Sequence, residues 1–159
     1  MGAGEAEDDP SANAALRALA EGPHVGAGLR VQVELALAAA AAAEGDSVAC
    51  DAALAQACAH AERPGAAPEL RFDALEKRGQ MDAFQNRRGP ARAALNALEA
   101  LTPTLASPFY AARLHLARGE FLASLDPTRA RVDLVQARRL FHEHGYADWA
   151  DGVGQVLDA

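Results

Sequence analysis

Apolar and polar positions along this chain recur with a helical period, and proline, glycine and small polar residues cut the pattern into segments. In the last segment Tyr146, Trp149, Val153 and Leu157 fall at i, i+3, i+7 and i+11, while Asp148, Asp151 and Asp158 point elsewhere. In the segment before it, Val132 or Val135, Leu140 and Phe141 form the apolar stripe opposite Arg131, Arg138 and Arg139. All eight prolines fall where a helix could begin or end. Ser107-Pro108 and Asp126-Pro127 each read as an N-cap followed by proline at the first helical position. Gly45-Asp46-Ser47 and Gly89-Pro90 read as one helix stopping and another starting. The marks predict helices near 11–21, 27–44, 47–62, 67–86, 90–101, 107–124, 127–143 and 146–158. Residues 1–10, with Glu5, Glu7, Asp8 and Asp9, read as a flexible acidic arm. The helix at 27–44 has no clear face, because it is largely an alanine run.

Composition narrows the fold class. Of the 159 residues 50% count as hydrophobic, but 41 are Ala; Leu supplies 19, Val 8 and Ile none. A β-rich fold needs β-branched and aromatic side chains that this chain hardly has. Ala and Leu favour helices and Leu can form a core, so wholesale disorder is also excluded. A membrane span needs roughly 18 to 20 consecutive, strongly apolar residues; the nearest run, Leu35 to Ala43, is short and mostly Ala. The expectation is a soluble, all-α protein of about eight helices.

One internal period stands out. Arg78-Gly79-Gln80-Met81-Asp82-Ala83 and Arg118-Gly119-Glu120-Phe121-Leu122-Ala123 match at an offset of 40. Leu70 then pairs with Tyr110 and Ala74 with Leu114; after a one-residue gap, Ala91 and Leu98 pair with Ala130 and Ala137. A further shift by 40 puts Ala39 in the place of the two glycines. Glycine inside a helix costs on the order of 1 kcal/mol against Ala. Two such glycines in register point to a shared packing need, where a neighbouring helix comes close.

On these residues the chain resembles the tetratricopeptide-like helical repeats, most of all through Ala111 to Ala117, Ala130 through Leu134 to Ala137, and Arg139-Leu140-Phe141. It is similar to the forty-residue variety found in bacterial multidomain regulators. Arg78 and Arg118 depart from the pattern, since that family usually has an apolar residue beside the glycine. A closing proline is clear only at Pro64 and Pro103. The resemblance implies one α-solenoid domain over 11–159, of stacked antiparallel helix pairs. Its repeats run near 27–64, 67–104 and 107–145, with 146–158 as a capping helix. It also implies a concave groove, lined by the first helix of each pair, that binds a protein or peptide. Asp73 and Gln80 lie on one helical face and correspond at offset 40 to Arg113 and Glu120; these four are the groove candidates, with Arg78 and Arg118 secondary. Ordinary solvated or salt-bridged positions are the competing reading of all six.

Charge and chemistry add little catalysis. The net charge is −7, and the first 62 residues are the acidic part, which disfavours nucleic acid as a partner. Cys50 and Cys58 share one predicted helix about 12 Å apart, too far for a disulfide, which suits a reducing, cytoplasmic setting. His142-Glu143-His144 lacks the i, i+3 or i+4 spacing of helical metal pairs, and Cys50, Cys58 and His60 do not converge either. No metal or cofactor is expected. No nucleophile or paired-carboxylate motif is present, so the expected role is non-catalytic. His115 reads as a surface or groove histidine. The alternative role is homodimerisation or scaffolding through the terminal helices, with Trp149 packing on another copy; an unrecognised enzyme or sensor is the remaining alternative.

Overall fold

In the computed structural model, which describes residues 10–23 and 25–159, the chain is all-α, with eight helices among the described residues. They are α1 (Pro10–Glu21), α2 (Ala27–Ala43), α3 (Ser47–Ala61), α4 (Pro68–Phe84), α5 (Arg88–Leu105), α6 (Pro108–Leu122), α7 (Pro127–Glu143) and α8 (Ala147–Asp158). Among the described residues no helix is long and apolar enough to cross a membrane. The expected acidic arm lies outside the described residues, except that Pro10 already belongs to α1. The chain forms two compact units that divide between Ala67 and Pro68. Within each unit, neighbouring helices pack in sequence order, as in a helical-repeat arrangement.

In the first unit α2 and α3 pack through one stripe each. Cys50, Ala53, Leu54, Ala57, His60 and Ala61 are the buried positions of α3, spaced three or four apart as one helical face requires. The buried positions of α2, which packs on α3 and also on α1, are Val31, Val33, Leu37, Ala38 and Ala41. The alanine run therefore does have a face, and its register corrects the expected one. Ala39 is exposed and Ala38 is buried. The reason lies in the helix starts, since Ala27 and Pro68 begin α2 and α4 forty-one residues apart, not forty. Gly45 (φ +74°) and Asn86 (φ +57°) keep the same spacing; each takes the left-handed conformation that ends the preceding helix. The following N–H groups, of Asp46 and Arg87, then donate back to the carbonyls of Ala41 and Asp82.

The second unit holds two apolar clusters that share α6. On one side Phe72, Leu95, Leu98, Ala117 and Phe121 join α4, α5 and α6. On the other Ala112, Leu134, Ala137, Phe141, Ala150 and Val153 join α6, α7 and α8. The interior glycines sit where helices meet closely. A Cβ at Gly79 would come within 2.4 Å of the Phe121 ring and 3.0 Å of Ala94 Cβ. One at Gly119 would meet Leu134 Cγ at 2.7 Å and the Ala130 carbonyl oxygen at 3.1 Å. The shared packing need read from the sequence is this contact.

Three expectations are corrected. The stripe of α7 is Ala130, Asp133, Leu134, Ala137 and Phe141, with Leu140 half-buried. Val132 and Val135 are 65% and 51% exposed, because each lies a turn's fraction away from that stripe. Helix α5 spans Arg88–Leu105 in place of 90–101, so Pro103 lies inside it and closes nothing. Leu101 and Leu105 pack against the first cluster, and that burial holds the last turn despite the lost backbone donor. Finally, Asp126 caps α7 by accepting from the Arg129 N–H at 3.0 Å, whereas Ser107 stands at the cap position of α6 without a side-chain hydrogen bond.

Candidate functional site

Helices α4 and α6 run in the same direction with α5 returning between them, so residues forty apart stand opposite one another. Arg113 pairs with Asp73 at 2.9 Å, and the Gln80 amide donates to Glu120 Oε2 at 3.0 Å. The four groove candidates thus meet as two cross-helix pairs. Gln80 also accepts from Lys77 Nζ at 3.3 Å.

Arg113 itself does not line an open surface. It is buried, with its guanidinium donating to both oxygens of the buried Glu76 as well as to Asp73. Aromatic rings surround it: Phe72 at 4.9 Å, Tyr110 at 5.4 Å, Phe109 at 5.5 Å and Trp149 at 5.7 Å from the guanidinium carbon. Burial alone depresses the guanidinium, but the hydrogen bonds and charges of Glu76 and Asp73 outweigh it and raise Arg113 above its ordinary value. A buried cation with two carboxylates and ring faces has its desolvation offset. Arg113 is therefore a clamp between α4 and α6. The Tyr110 hydroxyl is raised, by burial first and by Asp73 next.

Arg78 and Arg118 turn to other neighbours. Arg78 pairs within its helix with Asp82 at 3.2 Å, and the buried Asp82 also receives Arg87 at 2.7 Å across the α4–α5 turn. Arg118 reaches Glu99 of α5 at 2.7 Å and Asp133 of α7 at 3.2 Å. Burial lowers and these two carboxylates raise the Arg118 guanidinium, with a net rise. His115 Nδ1 lies 2.8 Å from the same Asp133 oxygen, so the histidine is fixed against α7. The two arginines occupy equal repeat positions but have unlike partners. Glu76, Asp82, Glu99 and Asp133 were absent from the sequence-derived candidates. Only the i, i+4 spacing of Arg78 and Asp82 signals such a partner in one dimension.

One open concavity of this unit lies between α6 and α8; another, of about 380 Å³, lies where the α4–α5 turn meets the end of α6, around Asn86, Arg92 and Leu125. Leu116 and Glu120 from α6, with Asp148, Trp149, Gly152, Val153 and Val156 from α8, line a groove of about 270 Å³. Trp149 is the only tryptophan of the chain. Its ring packs against Phe141 at 5.2 Å and Phe109 at 5.3 Å, yet the residue stays 40% exposed, and Val156 beside it 51%. Phe109 and Trp149 are again forty apart, so α8 continues the period as the first helix of a further pair would. Glu120 is exposed on the rim, but surrounding protein desolvates its carboxyl and Glu76 repels its charge; its pKa is raised although Gln80 and Lys77 oppose this.

The remaining sequence candidates carry no constellation. Glu143 pairs with Arg139 at 3.7 Å, and His142 occupies the last turn of α7, where a cation complements the helix dipole. Cys50 and Cys58 form no disulfide. Among the described residues, no group of three His, Cys, Asp or Glu side chains converges as metal ligands would. Compared with family models, with curated proteins and with solved structures, the chain matches none.

Proposed function

We propose that this chain is a tetratricopeptide-like, non-catalytic module that binds a protein or peptide segment in the groove between α6 and α8, as part of a larger cytoplasmic regulator. The observation that carries this reading is Trp149. Its ring is held by Phe109 and Phe141 while one part stays open beside Val156 and Leu116. A rigid aromatic anchor in an apolar concavity is the usual centre of a binding hot spot, because ordering it on binding costs little further entropy. Capture of partners from the source lysate tests the reading, with wild type compared against Val156→Lys, an exposed change that spares the core. Loss of specific partners with the variant is the expected result. Equal recovery of every partner by both proteins refutes the groove as the binding face.

Self-association through the terminal helices is the second reading, favoured by the exposed Leu19 on α1 and Val156 on α8. A monomer in light scattering at high concentration excludes it.

A further inference from the structure

We infer that the segment taken by the α6–α8 groove is basic: a Lys or Arg side chain lies along Trp149 and Val156 and places its cation between Glu120 and Asp148. This rests on the peptide-binding reading just given and adds the chemistry of the partner. The groove is apolar on its floor and acidic on its rim. Glu120 from α6 and Asp148 from α8, both exposed, line it together with Leu116, Trp149 and Val156. Glu120's direct polar partner is the neutral amide of Gln80, and Asp148 has no ion pair among the described residues.

The charges behind the rim do not cancel it. Arg113 is already matched by Asp73 and Glu76, and Lys77 is the one further cation acting on Glu120. Over Asp73, Glu76, Lys77, Arg113, Glu120 and Asp148 the formal balance is two negative charges. An acidic or phosphate-bearing segment would bring more negative charge against the two rim carboxylates. A long cationic side chain instead lays its methylenes on apolar surface and keeps its charged end at the rim. Trp149 suits that placement, since the face of an indole attracts a cation. Arg113 shows this affinity within the chain, 5.7 Å from the same ring.

The lone Trp149 makes the test direct, because its emission reports the groove without a label. Short capped peptides alternating Leu with Lys, Leu with Gln and Leu with Glu are titrated into the protein. The Leu/Lys peptide is expected to shift the emission saturably and to bind about tenfold more tightly than the Leu/Gln peptide, with the advantage shrinking as salt is raised. The double variant Glu120→Gln/Asp148→Asn, checked for native helicity, is expected to lose that advantage. Glu143→Gln/Asp158→Asn removes the same charge away from the groove lining and should keep it. Equal or tighter binding of the Leu/Gln or Leu/Glu peptide overturns the basic preference and leaves the peptide-binding reading standing. Equal losses in the two double variants also overturn it, as they trace the effect to net charge alone. If no peptide moves Trp149 emission, both the preference and the α6–α8 groove as a peptide site are refuted.

Discussion

Asp73 and Arg113 stand forty positions apart in the chain and 2.9 Å apart in the fold. The repeat offset is thereby also a contact: equal positions of α4 and α6 face each other, one anionic and one cationic. The pair belongs to a larger knot in which Glu76 is buried against the same guanidinium. Removing one partner of a buried pair costs roughly 3–5 kcal/mol, because the other charge is left without compensation. Arg113→Met is expected to lose about that much in urea unfolding, and Asp73→Ala distinctly less, since Asp73 is only half-buried. Equal losses for the two variants would show that Glu76 does not depend on Arg113.

The interior glycines make a second prediction, with opposite signs at different sites. Gly79→Ala and Gly119→Ala gain helix propensity of about 1 kcal/mol, but each Cβ meets a neighbouring side chain below 3 Å. Overpacking of this kind costs typically 1–3 kcal/mol, so both variants should be less stable than wild type. Gly119→Ala should be hard to relieve, because the Ala130 backbone carbonyl is also in the way. Gly152→Ala in α8 meets nothing within 4 Å and should stabilise by roughly 0.4–1 kcal/mol. Thermal unfolding of the three variants separates the cases.

His60 makes stability depend on pH. Its imidazole is buried in α3, and burial first, then Arg63 and Arg30, lower its pKa from the ordinary value of 6.5. The unfolded chain therefore binds more protons than the folded one, and stability rises with pH. The contribution is complete above the unfolded value and is lost as pH falls from about 6.5 toward the lower folded value. His60→Gln should flatten unfolding free energy across this window. An unchanged slope in the variant would assign the dependence to other groups.

Two caps that look alike in sequence should behave differently. Asp126→Ala removes the acceptor for the Arg129 N–H and should cost about 1 kcal/mol. Ser107→Ala removes no such bond and should stay within about 0.5 kcal/mol. Denaturant midpoints of the two variants measure the contrast.

Helix positions were legible because proline, caps and glycine act locally: a missing N–H or a left-handed φ interrupts a helix whatever surrounds it. Seven of the eight prolines mark such boundaries. Pro103 does not, since Leu101 and Leu105 hold its helix together through packing with residues far along the chain. The groove candidates were legible as a register, Asp73 with Arg113 and Gln80 with Glu120. That Arg113 is buried was not, because its partners come from three different helices: Phe72, Asp73 and Glu76 from α4, Phe109 and Tyr110 from α6, and Trp149 from α8.

The sequence by itself determined an all-α chain, the approximate placing of its eight helices, a period near forty, and two glycines placed for close contact. Each is a property of neighbours in the chain or of one repeated spacing. The tertiary structure alone decided the register of the alanine-rich first pair, where Ala38 and Ala39 are chemically identical and only the face of α3 distinguishes them. It also decided which charges are consumed and which remain open. A guanidinium between Glu76 and Asp73 is locked, whereas Glu120 and Asp148 stand at the edge of an apolar groove. Charge at a given position has no fixed role until burial sets its hydration and the packing of other helices sets its partners.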